Sequence, residues 1–223
     1  MNKPLGVIFD MDGVLVNSYQ PHFLSWRQAA AKIGLELKEP DFARTFGRTS
    51  REIIAHLWPG KMDDAAIARF DLGKEAAYRE ILRVNFPAME GAGHLIQSLS
   101  AAGFQLAIGS SGPPENVAVV KEQLPNGNLI SATVDGMQVK HGKPDPEVFL
   151  TAAQKIDVAP ERCAVIEDAL AGIEAARRAG MAAIALTGTA TREALSERAH
   201  LVVDSLNELS PEIIANLIRK VAA

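Results

Sequence analysis

Two acids, Asp10 and Asp12, stand one residue apart where the apolar run "LGVIFD" gives out, and Gly13 follows them in "DMDGVLVNS". In extended chain, side chains two apart point the same way, so both carboxylates would face one side. Other apolar runs end in the same manner: Ser110 and Ser111 close "FQLAIGSS", and Glu167 and Asp168 close "CAVIED". Lys143 lies in "HGKPDPEVF", just ahead of a helical pattern. Four carboxylates gathered together repel, and their ionised forms are costly unless a cation intervenes. Lys143 offers one positive charge. A hard divalent cation such as Mg2+ offers two, takes oxygen ligands and fills its shell with water and substrate phosphate. Ser110, Lys143 and loop N–H groups could hold that phosphate. A carboxylate can then attack phosphorus, and a second acid can protonate the leaving oxygen. Gly13 would let the backbone turn sharply and leave room for the phosphate.

For these residues to meet, the runs that carry them must be neighbouring strands. Residues 5–10, 104–111, 163–168, 181–188 and 200–205 read as short, fully apolar strands. Between most of them lie helical patterns, such as residues 89–102, with Leu95, Ile96 and Leu99 at helical spacing, and 169–180; a glycine stops each. Continuous apolar strands alternating with helices predict an α/β fold, a Rossmann-like parallel sheet with helices on both faces. In such sheets ligands sit beyond the carboxyl ends of the strands. Residues 17–86 read differently. "FLSWRQAAAKIG", "REIIAHLW", "DDAAIARF" and "KEAAYREILRV" are amphipathic helical segments with no convincing strand among them. The expected organisation is a catalytic α/β core of residues 1–16 and 87–223, interrupted by an all-helical inserted domain of residues 17–86.

Composition bounds the partners. The 223 residues are 48% hydrophobic and 22% charged, with a net charge of −4, which lacks the basic footprint of a nucleic-acid binder. The one cysteine, Cys163, permits no internal disulfide and fits a reducing compartment. No apolar run approaches the roughly 18 residues of a membrane span, and "MNKPLGVIFD" does not read as a signal peptide. The expectation is a cytoplasmic monomer acting on a small molecule, with neither nucleic acid nor membrane as partner.

Taken together, "DMDGVLVNS", "AIGSS", "KHGKPDPEVF" and "VIEDALAGI" resemble the haloacid dehalogenase-like phosphohydrolases. The resemblance is to the branch with a helical cap after the first motif, which holds beta-phosphoglucomutases and sugar-phosphate and phosphoglycolate phosphatases. It covers nearly the whole chain. It implies that Asp10 is nucleophile and metal ligand, and that Asp12 is the general acid/base, with its main-chain carbonyl on the metal. It implies further that Ser110 holds the transferring phosphoryl group while Lys143 neutralises its charge and orients Asp10. Asp168 would bind Mg2+, with Glu167 as a direct or water-mediated second carboxylate. Ser111 would join the substrate contacts. Asn17 departs from the pattern, since relatives often carry Asp there, but it lies past the catalytic pair. The implied activity is Mg2+-dependent hydrolysis of a small phosphorylated metabolite through an aspartyl-phosphate. A phosphomutase, passing the phosphoryl group to a sugar hydroxyl, is the alternative.

In residues 17–86 the resemblance is looser. His22 in "HFLSW", Arg48 or Arg51 in "GRTSRE", and Lys74 with Tyr78 match substrate-contacting patterns of cap-bearing relatives. Each has a plainer reading. Thr49 and Glu52 form a T-x-x-E capping box, Arg51 and Lys74 could be solvated, and Trp26 and Trp58 suit a packed core. Glu167 and Asp168 also fit the acid preference of a helix N-terminus, and Cys163 an inert core thiol. A phosphoreceiver domain uses a similar Asp, hydroxyl and Lys set, but from the family comparison it lacks a helical insertion of this size. A dehalogenase has no need of the metal-binding acids.

Overall fold

The computed structural model describes residues 3–223. In chain order its main elements are β1 (Gly6–Phe9), α1 (Tyr19–Lys32), α2 (Glu39–Ala43), α3 (Ser50–Leu57), α4 (Asp64–Val84), α5 (Ala92–Ala101), β2 (Gln105–Gly109), α6 (Pro114–Gln123) and β3 (Ala132–Val134). They continue with α7 (Glu147–Lys155), β4 (Cys163–Glu167), α8 (Leu170–Arg178), β5 (Ala182–Leu186), α9 (Arg192–Ser196), β6 (Leu201–Val203) and α10 (Pro211–Ala222). The chain divides into two compact units: one takes in the chain up to Asn17 together with Phe86–Ala223, the other is Ser18–Asn85.

The first unit is built on a six-stranded sheet of order β3-β2-β1-β4-β5-β6 with every pairing parallel. Its strands are apolar runs because both faces are covered. Ile8, Ala107, Val165, Ala183 and Ala185 pack with Phe149 and Ala152 of α7, Ile173 and Ala176 of α8, and Leu195 of α9. The intervening residues Val7, Phe9, Leu106, Ile108 and Ile166 point the other way and are equally buried, and α5 and α10 lie against β2, β4 and β5. The parallel sheet with helices on both faces thus follows the expectation from sequence. The register is what matters for chemistry. Phe9 lies level with Ile108 of β2 and Ile166 of β4, so β1 is the central strand and stops between two partners. The residue after it, Asp10, donates its backbone N–H to the Ile166 carbonyl at 2.9 Å.

Two differences from the sequence reading concern short elements. The strand over β3 was not expected, since it has only three residues at the sheet edge, two of them half-exposed, and lacks the apolar run that marks the other strands. The first strand ends at Phe9 rather than Asp10. Cys163 does lie in the core; burial, with the charge of Glu161, pushes its thiol up to about 12, so it stays protonated at neutral pH.

The second unit is all helical. Phe23, Trp26 and Ala30 of α1, Phe42 of α2, Ile53 and Ile54 of α3, Trp58 and Phe70 form its core, with the Trp26 and Phe70 rings 5.1 Å apart. "DDAAIARF" and "KEAAYREILRV" prove to be one helix, α4, which runs straight through Gly73. A mid-helix glycine costs about 1 kcal/mol against alanine, less than the buried face of Phe70, Lys74, Ala77 and Tyr78 gains by staying in one helix. The capping box at Thr49 is formed: the Thr49 side chain accepts the Glu52 N–H, and the Glu52 carboxylate accepts the Thr49 N–H at 2.9 Å. Thr49→Ala is therefore expected to lower stability by about 1 kcal/mol, read as a shifted midpoint in urea unfolding with an unchanged slope.

Candidate active site

Where β1, β2 and β4 end, the side chains converge. Asp10, Glu167 and Asp168 are all buried, and each can offer a carboxylate oxygen to a cluster in which the three lie within 4.8 Å of one another. Lys143 comes from the loop ahead of α7. It is hydrogen-bonded to Asp10 and lies 3.2 Å from Glu167 Oε1. Its ammonium also sits 4.8 Å over the Phe149 ring, and its side chain is only 10% exposed. Ser110 follows β2, almost fully buried. Its backbone N–H donates to the Val134 carbonyl, and its hydroxyl oxygen accepts the Gly112 N–H at 3.0 Å. That leaves the hydroxyl hydrogen to donate to an incoming oxygen. Ser111 beside it is exposed.

Asp12 stands apart from the three-carboxylate cluster. After Asp10 the chain winds tightly: the N–H groups of Leu15 and Val16 both donate to the Met11 carbonyl, and Gly13 donates to Val16 at 2.9 Å. Met11 is buried and Asp12 half-exposed, so the turn puts one acid in the protein and the other at its edge. The sequence reading gathered four carboxylates; three meet directly, because strand geometry ends one residue before Asp10. Gly13 makes the expected sharp turn and has a further task. Its φ is +78°, and a Cβ there would fall 2.1 Å from Asp168 Oδ2. The room it leaves is room for Asp168.

Glu167 is held on both oxygens. Oε2 accepts the backbone N–H groups of Asp168 at 2.6 Å and Ala169 at 3.2 Å, where α8 begins; Oε1 faces Lys143. This fold-back is possible because of Gly172, where a Cβ would lie 1.8 Å from Glu167 Oε1. The sequence offers Gly172 only as a glycine in an Ala-rich helix, and nothing in the pattern marks it. Thr189, in the loop after β5, also escaped the sequence reading; its hydroxyl donates to Asp168 Oδ2.

The electrostatics follow from three buried carboxylates facing one ammonium. Burial raises the Asp10 carboxyl well above its usual range; Lys143 opposes this, while Glu167 and Asp168 add to it. Burial and then the charge of Glu167 lift Asp168 to about 7, against the pull of the Thr189 hydrogen bond. Burial works against the charged form of Lys143, but Asp10 and Glu167 outweigh it and hold the ammonium protonated. The cluster is acid-rich, dry and lined by oxygens, the donor set that suits a hard divalent cation.

The remaining sequence candidates lie in the helical unit. The His22 ring stacks on Tyr78 at 4.2 Å with 9° between planes. Arg48 is exposed ahead of α3. Arg51 is exposed and pairs with Asp64 at 2.7 Å. Lys74 is not the solvated helix lysine its spacing allows: it is buried, 5.7 Å over the Trp26 ring and paired with Glu75. Trp26 and Trp58 are packing residues.

A parallel α/β sheet whose strand ends gather an aspartate, a serine, a lysine and an acidic pair describes a class of hydrolases. Residues 5–180 match the family model described as haloacid dehalogenase-like hydrolase, and the chain belongs to that family. It is 29% identical over 231 residues to a phosphorylated carbohydrates phosphatase of Thermotoga maritima, covering 96% of this chain and 98% of that one. It is 32% identical over 185 residues to the beta-phosphoglucomutase of Bacillus subtilis, covering 80% of this chain and 81% of the relative. Among solved structures it superposes on a HAD hydrolase, family IA, variant 3, from Entamoeba histolytica with a TM-score of 0.84 at 26% identity, covering 96% and 99% of the two chains. Among the described residues no helix is long and apolar enough to cross a membrane.

The raised Asp168 makes a signed prediction. Its ionisation costs nothing below about pH 4, where the carboxyl is protonated in folded and unfolded chains alike. The cost grows as pH rises towards about 7. In EDTA, Asp168→Asn should therefore raise Tm by on the order of 5 °C at pH 8 and by much less at pH 5, measured by differential scanning calorimetry.

Proposed function

We propose that this chain is a Mg2+-dependent phosphatase of a small phosphorylated carbohydrate, working through a phosphoryl group carried on Asp10. The observation that carries the reading is the buried meeting of Asp10, Lys143, Glu167 and Asp168 where the strands end. The Thermotoga relative, a phosphatase of phosphorylated carbohydrates by name, supports the substrate class. Asp10 and Asp168 are the side chains suited to hold the metal, joined by the main-chain carbonyl of Asp12. Both oxygens of Glu167 are engaged by the protein, which suits contact through water better than direct ligation. Bound there, Mg2+ would offset the charge of the clustered carboxylates and of the phosphate.

The residues divide the work as follows. A carboxylate oxygen of Asp10 attacks phosphorus, forming a P–O bond as the bond from phosphorus to the substrate oxygen breaks. The Asp12 carboxyl gives its proton to that leaving oxygen, freeing the alcohol. Asp12, now a carboxylate, takes a proton from water as the water oxygen attacks phosphorus. The Asp10–phosphorus bond breaks, and inorganic phosphate leaves. Lys143 and the Ser110 hydroxyl neutralise and orient the phosphoryl oxygens throughout. Asp12 would thus serve as acid in the first step and as base in the second. In this reading the helical unit selects among substrates through His22, Lys74 and Arg48 or Arg51.

The phosphomutase reading differs in one respect: a sugar hydroxyl replaces water in the second step. The kinship to a beta-phosphoglucomutase and the buried cation Lys74 favour keeping it. Incubation with beta-glucose 1-phosphate separates the two, since a phosphatase releases inorganic phosphate while a mutase accumulates glucose 6-phosphate. Across a panel of sugar phosphates, phosphate release should be lost in EDTA and restored by Mg2+. Asp10→Asn should lower kcat by at least about 10^3-fold, since a group whose role is covalent cannot be replaced by its neutral amide. Full turnover by Asp10→Asn would remove it as nucleophile.

Lys143→Met tests the charge bookkeeping separately. Without the ammonium, Asp10 loses the charge that opposes the effect of its burial. The pH at which kcat/KM reaches half its plateau should then move upwards, together with a loss of on the order of 10^2-fold in kcat, read from pH–rate profiles of both proteins.

A further inference from the structure

Resting on the metal reading above, we infer that Thr189 is a positioning residue for the metal centre: its hydroxyl fixes the carboxylate of Asp168 in the orientation that ligates the cation. Three contacts from three parts of the chain pin Asp168. Its backbone N–H is taken by Glu167 Oε2 at 2.6 Å. Its Oδ2 lies against the backbone of Gly13, where even a Cβ would find no room. The same Oδ2 accepts the Thr189 hydroxyl. Backbone contacts fix where the side chain starts. The hydroxyl makes a directional bond to the carboxylate itself, and so acts on its plane.

Thr189 is an exposed loop residue, yet the loop is anchored on either side of it. Before it, Thr187 donates its backbone N–H to the Val203 carbonyl at 3.0 Å and its hydroxyl to Asp204 at 2.8 Å. After it, Arg192 pairs with the same Asp204 at 2.8 Å. One aspartate beyond β6 thus clamps both arms of the loop, and the threonine between them reaches back to β4. Water could satisfy an exposed hydroxyl equally well, but water would leave the carboxylate free to turn. Hydrogen bonds that orient metal ligands are worth about 10–100-fold in metal affinity.

The test is calorimetric titration of the full-length, metal-stripped protein with Mg2+, repeated with Mn2+, for wild type, Thr189→Val and Thr189→Ser. Thr189→Val removes the hydroxyl at nearly constant shape and should weaken both ions about 10–100-fold, while Thr189→Ser stays within about threefold of wild type. In metal-free protein Thr189→Ser should match the wild-type Tm, and that of Thr189→Val should fall by only about 2–4 °C, as the loss of one hydrogen bond predicts. At saturating Mg2+ the kcat of Thr189→Val should return to near the wild-type value, because the residue touches no reacting atom. Wild-type affinity in Thr189→Val would overturn the positioning role and leave the metal centre standing. Wild-type protein that binds neither ion would overturn the metal reading and this inference with it.

Discussion

Three carboxylates share one ammonium in the interior of this protein, and most of the structure around them serves to keep that arrangement in place. Like charges at such distances raise one another's proton affinity, and burial removes the water that would screen them. Lys143 compensates part of the repulsion through Asp10 and Glu167. Glu167 is further relieved by two peptide N–H groups at the start of α8, where the helix dipole favours negative charge. Asp168 is relieved by the Thr189 hydroxyl and, to a smaller extent, by the charge of Lys143, and burial still leaves it near 7. The site is poised: its acids are assembled against their own repulsion, and a doubly charged ion is the simplest agent that would relieve it.

Topology is what allows residues so distant in sequence to meet. Strand order reverses at β1, whose neighbours are β2 on one side and β4 on the other. Chain ends leaving these three strands therefore splay around one point, the usual ligand position in open parallel sheets. Two glycines let the side chains pack there. Gly13 admits Asp168 and Gly172 admits Glu167, so the acidic pair closing β4 is seated between the loop after β1 and the first turns of α8. Helix packing and site geometry are consequently the same problem at this point of the fold.

Much of this was legible in the sequence, for a physical reason. Fully buried parallel strands read as apolar runs, and a polar residue directly after such a run must sit at the sheet's edge. Asp10, Ser110 and Glu167 could be placed by that logic alone, and Lys143 by its position just ahead of a helical pattern. What was not legible depends on contacts with no sequence period. Thr189 is one hydroxyl in a polar loop, "TGTAT". Gly172 looks like any small residue of an Ala-rich helix. The burial of Lys74 needed knowledge that Trp26, on another helix, would lie beside it. β3 and α2 were missed because three and five residues are too few to display a pattern. The single helix α4 was read as two because Gly73 looks like punctuation when its packed neighbours are unseen.

The place of β1 at the middle of the sheet has an implication for how the protein comes into being. Its residues are made before either flanking partner, and these arrive only with Gln105 and, later, Cys163. Until Gln105 is made both hydrogen-bonding edges of β1 are vacant, and one stays vacant until Cys163; the helical unit is complete before the sheet can begin. Birth order and architectural order run opposite to each other. The strand leading into Asp10 precedes both neighbours in the chain and is flanked on both sides only once β4 has been made.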